Sequence, residues 1–261
     1  MDGISDVTRY KLETDYVKST YDSIAQDFSD TRYKKWPQVD NYLKSLPHKT
    51  LLLDVGCGNG KYLDNEATFN IGCDISANLL SICRQRGFEV VLCDMTRLPF
   101  RDSVFDSVLS VAALHHVVTA KRREECLQRL CSLLRCQGGT MLIQVWAFEQ
   151  KMEKDNPYLK RVEPDETSDR QVVLDGITMS VHKNRTQFKN QDLLVPFHLK
   201  GGEKDPREAN IKDKEQLRYY HLFKHGELES MIKKISNVTL VSSYYDRGNW
   251  CSILKRDLDK S

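Results

Sequence analysis

The chain has 261 residues, of which 40% are hydrophobic and 29% charged, with a formal net charge of +2. Such a length suits one large α/β domain with room for an insertion, and the composition supports a core plus a polar segment. A near-balanced charge excludes a molecule that is polybasic throughout, no apolar run nears the roughly 18 residues of a membrane span, and the opening Met1-Asp-Gly-Ile-Ser-Asp lacks the apolar stretch of a secretory signal.

In chain order, Val17, Tyr21, Ile24 and Phe28 recur at helical spacing and predict an N-terminal helix. It belongs to a helical arm over residues 1–47. The arm continues through Ser29-Asp-Thr-Arg32-Tyr-Lys34-Lys35-Trp36-Pro37, where the proline biases Trp36 away from helix, and a second helix ends before Pro47. Alternation then begins. Strands are predicted over residues 51–55, 69–73, 89–93, 105–111 and 140–146, with one helix capped by Ser76 and ended by Gly87 and another over 120–135. Strands and helices alternating at this interval mean a mostly parallel sheet covered on both faces, whose ligands sit beyond the carboxyl ends of the strands. Asp54, Asp74, Asp94 and His115-His116 all lie at or just after those ends.

Over residues 150–215 the regularity stops: Pro157, Pro164, Pro196 and Pro206 stand among charges, so a polar, partly irregular insertion is expected, although residues 191–198 are apolar enough to dock. Residues 216–261 resume order with a helix marked by Leu228, Met231, Ile232 and Ile235. A hairpin then closes about Asp246-Arg-Gly248-Asn249, and the whole chain reads as a single domain. None of the eight cysteines forms a C-x-x-C pair, and Cys126, Cys131 and Cys136 scatter around a helix. Reduced thiols, in the cytosol or nucleus, are expected.

The most informative stretch is Thr50-Leu-Leu-Leu-Asp54-Val-Gly56-Cys-Gly58-Asn-Gly60, a buried strand running into a glycine turn, with Asp74 twenty positions after Asp54. This layout lets backbone approach a nucleoside cofactor while a carboxylate grips its ribose. The dinucleotide fingerprint G-x-G-x-x-G fails, because its third glycine falls where Lys61 stands. The spacing Asp54-x-Gly56-x-Gly58-x-Gly60 instead resembles the S-adenosylmethionine loop of class I methyltransferases. In that reading Asp54 meets the methionine amine, Asp74 the ribose hydroxyls, and Asp94 with the Met95 backbone the adenine, while Ile75 and Ala112 complete the cofactor set. Asp94 as a turn residue and Asp54 as a helix N-terminal charge stay open.

Further blocks accompany the loop: Thr31 to Pro37, His115-His116, Trp146-Ala-Phe-Glu149-Gln150, Leu194-Val-Pro-Phe-His-Leu-Lys200, Arg218-Tyr-Tyr-His221-Leu-Phe-Lys224 and Tyr245-Asp246-x-Gly248-Asn249-Trp250. Together they resemble the eukaryotic methyltransferases that esterify the carboxymethyl group on the wobble uridine of tRNA, over nearly the whole chain. Ile75 departs from the family, in which a basic residue often follows Asp74. The resemblance implies a Rossmann-like, mostly parallel seven-stranded sheet with a C-terminal antiparallel hairpin. It also implies S-adenosyl-L-methionine as cofactor, tRNA as substrate and a small zinc-binding activator subunit in a heterodimer. With no room for a dioxygenase or RNA-recognition module, the stand-alone form is expected.

A carboxylate acceptor is ionised near neutral pH, so no general base is required. Arg32, His116, Arg218 and His221 are the candidates to hold it. Trp36, Lys34, Lys35, Arg185, Asn249 and Trp250 are the candidate tRNA contacts. No metal site is expected, since adjacent histidines lack a suitably spaced third ligand. A methyltransferase for a small carboxylate and a catalytically silent protein of the same fold are the competing readings.

Overall fold

The computed structural model of the protein describes residues 1, 3–150, 170–183, 185–198 and 215–257. Its centre is a seven-stranded sheet of order β10-β11-β5-β4-β1-β2-β3. Here β1 is Thr50–Val55, β2 Thr68–Asp74, β3 Val90–Leu92, β4 Ser107–Val111 and β5 Thr140–Trp146. These five run parallel, whereas the hairpin of β10 (Val238–Asp246) and β11 (Asn249–Arg256) joins β5 antiparallel. The predicted sheet and closing hairpin are therefore present. β1 is nearly continuous apolar sequence because helices cover both its faces, as parallel sheets require.

The two faces bury different sets. Leu53, Val55, Val108, Met141, Ile143 and Val145 pack against α6 (Ala120–Leu133) and α7 (Glu227–Ile232) through Leu127, Leu130, Leu228 and Ile232. Leu52, Leu109 and Leu142 on the other face meet Val39, Tyr42 and Leu43 of α4 (Pro37–Ser45). Pro37 occupies the first turn of α4, where its missing N–H costs nothing. α5 (Ala77–Gln85) starts at Ser76, whose hydroxyl accepts the Leu79 N–H. The chain leaves β1 toward β2 and β3, then crosses back to β4, so strand order reverses between β1 and β4. A ligand crevice is expected beyond that point.

Two features depart from the sequence reading. The N-terminal helix of the arm is not continuous but is divided into α1 (Asp6–Glu13), a π-helical turn at Thr14–Lys18, α2 (Ser19–Ser23) and α3 (Ala25–Thr31). Periodicity missed the break at Ile24 (φ −96°, ψ 5°) because Tyr21, Ile24 and Phe28 keep helical spacing across it. The second departure concerns residues 150–215, of which 151–169, 184 and 199–214 lie outside the described residues. The described part is ordered as β6 (Gln171–Leu174), β7 (Ile177–Ser180) and β8 (Asp192–His198). β6 pairs with β7, and β8 pairs antiparallel with β9 (Glu215–His221). Pro196 sits within β8 opposite Leu217, two residues beyond Leu194, where the other edge of the strand bridges to Val181.

The arm is fastened over the crevice. Asp22 accepts hydrogen bonds from Ser76 Oγ (2.7 Å) and Asn78 N (3.2 Å) at the start of α5, and Thr20 Oγ1 donates to Leu217 O of β9 at 3.0 Å. Among the described residues, no helix is long and apolar enough to cross a membrane.

Candidate active site

Beyond the carboxyl ends of β1 to β4 lies a cavity of about 820 Å³. One end is made of backbone and carboxylates. β1 turns at Gly56, where φ is 77° and an added Cβ would lie 2.4 Å from Ala113 Cβ, so a side chain is excluded on both counts. Asp74, at the end of β2, accepts the Gly58 N–H on Oδ2 and the Ser76 N–H on Oδ1, each at 2.9 Å. Burial raises its carboxyl, while N–H groups of Ser76, Gly58 and Ile75 pull the other way. Asp94 accepts the Thr96 N–H at 2.8 Å in a turn of its own. Ile75, Met95 and Ala112 line the same space, and Ala112 holds a left-handed φ of 58°, strain of the kind found at ligand sites. Gly60 does not reach the cavity; a Cβ there would strike Phe88 and Cys83 at 2.8 and 2.9 Å, so this third glycine packs the loop onto α5.

Asp54 is fully buried, and neither carboxylate oxygen has a hydrogen-bond partner. Burial and then the charge of Asp74 push its carboxyl up to about 7, against the pull of Lys61. Lys61 itself falls to about 8 through burial and the nearby Arg32. Its Nζ stands over the rings of Tyr62 and Trp36, 4.9 and 5.2 Å from their centroids. An unpaired buried carboxyl is costly, and a cationic ligand group would relieve it.

The other end is made of aromatic and basic side chains. Successive residues of β9 point to opposite sides. Arg218 and Tyr220 therefore face the cavity, whereas Tyr219 and His221 point away from it. His221 is held behind the wall between two carboxylates, with Nδ1 3.0 Å from Asp192 Oδ1 and Nε2 2.6 Å from Glu227 Oε1. Burial opposes ionisation of Asp192 and Glu227, yet the His221 hydrogen bond and charge hold both carboxyls below their ordinary range. The expected substrate role of His221 is thus corrected: it clasps β9 to β8 and α7.

His115 and His116 leave β4 in a 3₁₀ turn and both border the cavity. Burial drives His116 down to about 3 and His115 well below its usual range, so both rings are neutral. The Trp146 N–H donates to His115 Nδ1 at 3.0 Å. His116 is engaged at both nitrogens, by Tyr219 O at Nδ1 (2.7 Å) and by Tyr21 Oη at Nε2 (2.9 Å). It is therefore no cation for a carboxylate. Arg218 is buried, its guanidinium 5.2 and 5.3 Å from the Phe197 and Tyr220 ring centroids.

Arg32, Trp36, Arg185 and Asn249 also border the cavity, as does Arg247, which sequence reasoning missed. Asn249 Nδ2 donates to Asp246 O and Arg247 O at 3.1 Å, closing the hairpin turn. Lys34 is exposed outside the cavity, and Lys35 pairs with Asp64. Trp250 lies behind the wall with Nε1 3.1 Å from Glu149 Oε2, so it does not reach the cavity to stack on a base. Tyr21 and Tyr220 were missed as site residues. Strand parity from Arg218 would have selected Tyr220 over His221.

This crossover sheet, with its glycine turn and a carboxylate at the end of each of two adjacent strands, defines an S-adenosylmethionine-dependent class I methyltransferase. Residues 53–143 match the methyltransferase domain family. The fold is also that of the CcbJ methyltransferase from Streptomyces caelestis, with a TM-score of 0.62 and 16% identity over 92% of this chain and 98% of that one. The chain belongs to the tRNA (carboxymethyluridine(34)-5-O)-methyltransferase family. It is 36% identical to the member from Schizosaccharomyces pombe, over 95% of this chain and 99% of that protein. It is 45% identical to alkbh8 of Xenopus tropicalis over 94% of this chain and 41% of that protein. The chain thus spans under half the length of the vertebrate relatives it matches. Its residues fit the cofactor of the class: the unpartnered Asp54 carboxyl suits an ammonium group, and the wall at Gly56 is bare backbone.

Proposed function

We propose that the chain transfers a methyl group from S-adenosylmethionine to the carboxylate of 5-carboxymethyluridine at the wobble position of tRNA, giving the methyl ester. The observation that carries this is the buried Arg218 guanidinium bordering this end of the cavity, beside two histidines that burial makes poor bases. Both histidines are neutral and His116 has both nitrogens engaged. A hydroxyl or amine acceptor would wait for a proton to be removed; a carboxylate, ionised above about pH 4, does not. The name of the fission-yeast relative, matched end to end, supports the same acceptor.

Bound cofactor supplies an electrophilic methyl on a sulfonium. Asp54 holds its amine, Asp74 its ribose hydroxyls, and Asp94 with the Met95 backbone its adenine. Arg218, with Arg32 at the mouth, draws the carboxylate in, and the surrounding aromatic rings exclude water from it, which favours in-line attack. Lys34, Lys35, Arg185 and Arg247 meet phosphates around the mouth, and Trp36 offers a ring to a base. A small zinc-binding activator subunit completes the enzyme. Mass analysis of wobble nucleosides after incubation with hypomodified tRNA, with and without that subunit, tests the reading. Appearance of the methyl ester supports it; an unchanged carboxylate under both conditions, with cofactor bound, overturns it.

A further inference from the structure

The glycine loop ends on a cation that no carboxylate neutralises. Lys61 follows Gly60, borders the cavity and sets its Nζ over two rings, 4.9 Å from the Tyr62 centroid and 5.2 Å from that of Trp36. The Trp36 N–H donates to Tyr62 Oη at 3.3 Å, which ties the two residues together. Among the described residues, no carboxylate or carbonyl accepts a hydrogen bond from the Lys61 ammonium. Ring faces attract a cation but leave its N–H donors available to the cavity. Burial and Arg32 hold Lys61 down to about 8, and an anion beside it would favour the charged form.

Asp54 shows the complementary deficit. Neither of its buried oxygens is partnered, and each of the two groups feels the other's charge: Lys61 lowers Asp54, and Asp54 raises Lys61. The two are near one another yet not bonded to one another. A ligand with only an ammonium would meet Asp54 and leave the lysine bare; one with only a carboxylate would do the opposite. An α-amino acid carries both groups on one carbon and meets the two at once. The other cations bordering the cavity are placed differently. Arg218 stands among Phe197 and Tyr220 at the acceptor end, and the Arg32 guanidinium lies 5.8 Å from the Phe28 centroid.

We propose that Lys61 is a specificity-determining residue for the cofactor: it takes the carboxylate of the amino-acid tail while Asp54 takes the ammonium, so adenosyl ligands whose tail lacks a carboxyl group are rejected. Trp36 and Tyr62 seat the lysine for that contact. The inference rests on the cofactor and on the role given to Asp54, not on the acceptor.

The test is calorimetry of the full chain at pH 7 with S-adenosylhomocysteine and with S-adenosyl-3-thiopropylamine, the same thioether without its carboxyl group. Wild-type protein should prefer S-adenosylhomocysteine by about tenfold or more, as a charge-assisted bond allows. Lys61→Met should reduce that preference to about twofold, with affinity for the amine analogue within about threefold of wild type. Arg32→Met, which removes the neighbouring cation, should keep the preference within about twofold of wild type. A second readout needs no variant: reductive methylation of wild-type Lys61, followed by mass analysis, should be slowed more by S-adenosylhomocysteine than by the analogue at equal saturation. Indifference of the wild type to the carboxyl group, a full preference kept in Lys61→Met, an equal loss in Arg32→Met, or equal shielding by both ligands overturns the proposal. No RNA enters these measurements. Treated tRNA without methyl ester would therefore sink the reaction assigned above and leave this contact standing, and failure here would leave that reaction untouched.

Discussion

The two ends of the cavity solve their problems with different materials. At the glycine-loop end, backbone N–H groups hold Asp74, and a bare turn at Gly56 leaves no space for a side chain. At the acceptor end, side chains from the arm, the turn after β4 and the β8–β9 ribbon converge on Tyr220 and Arg218. The first kind of site tolerates no added atom. The second is built from side chains that come from distant parts of the chain.

The largest test of that difference is Gly56→Ala. A Cβ 2.4 Å from Ala113, added to a positive φ, should cost about 3 kcal/mol of stability and abolish measurable cofactor binding. Chemical unfolding and calorimetry would check both. Arg218→Ala should leave S-adenosylhomocysteine affinity within about twofold but reduce methyl transfer about a hundredfold, since a desolvated charge partner for the acceptor is lost. Equal losses in both would show that the two ends are not separable.

Asp54→Asn tests the cost of the loop end. The folded protein holds this proton up to about 7, whereas the unfolded chain releases it near the ordinary value of 3.8. Ligand-free stability contributed by this group therefore declines as pH rises between those values and levels off above them. The asparagine variant should lose that slope and gain about 1–3 kcal/mol near pH 7. Its cofactor affinity should fall about tenfold and no longer tighten as pH rises through 7, because only the carboxylate pairs with an ammonium. An unchanged pH profile of binding would remove Asp54 from the cofactor.

His221→Ala should destabilise by about 1–3 kcal/mol, seen in denaturant midpoints, by leaving Asp192 and Glu227 facing a void without their shared partner. Lys34→Ala, the smallest effect, should leave cofactor binding unchanged and lower the salt dependence of tRNA binding by about one ion.

The loop end was legible in the sequence because its parts are local. Asp54 lies in β1, Gly56 and Gly58 follow that strand, Asp74 ends β2 and Asp94 comes just after β3, so spacing alone places them. The acceptor end draws on residues about two hundred positions apart, and no periodicity links Tyr21 to Tyr220. The histidine pair was placed by the end of its strand, whereas Arg218 was found through a family block, which locates a motif but not the side each residue faces. His221 was misassigned for that reason: it shares the block with Arg218 but has the opposite parity on β9. Trp250 was misread similarly, as an aromatic ring available to a base when it is bonded to Glu149 behind the wall.

The bonds from Thr20 to Leu217 and from Tyr21 to Tyr220 span 197 and 199 positions. During translation residues 6–31 leave the ribosome long before 215–221, and at about 5–20 residues per second they wait on the order of ten seconds or more for their partners. The glycine loop and strands β1 to β5 emerge early, while the arm must wait for the last strands before it is fastened. A nascent chain stalled short of β9 would lack both this fastening and the β11 edge that completes the sheet on β5.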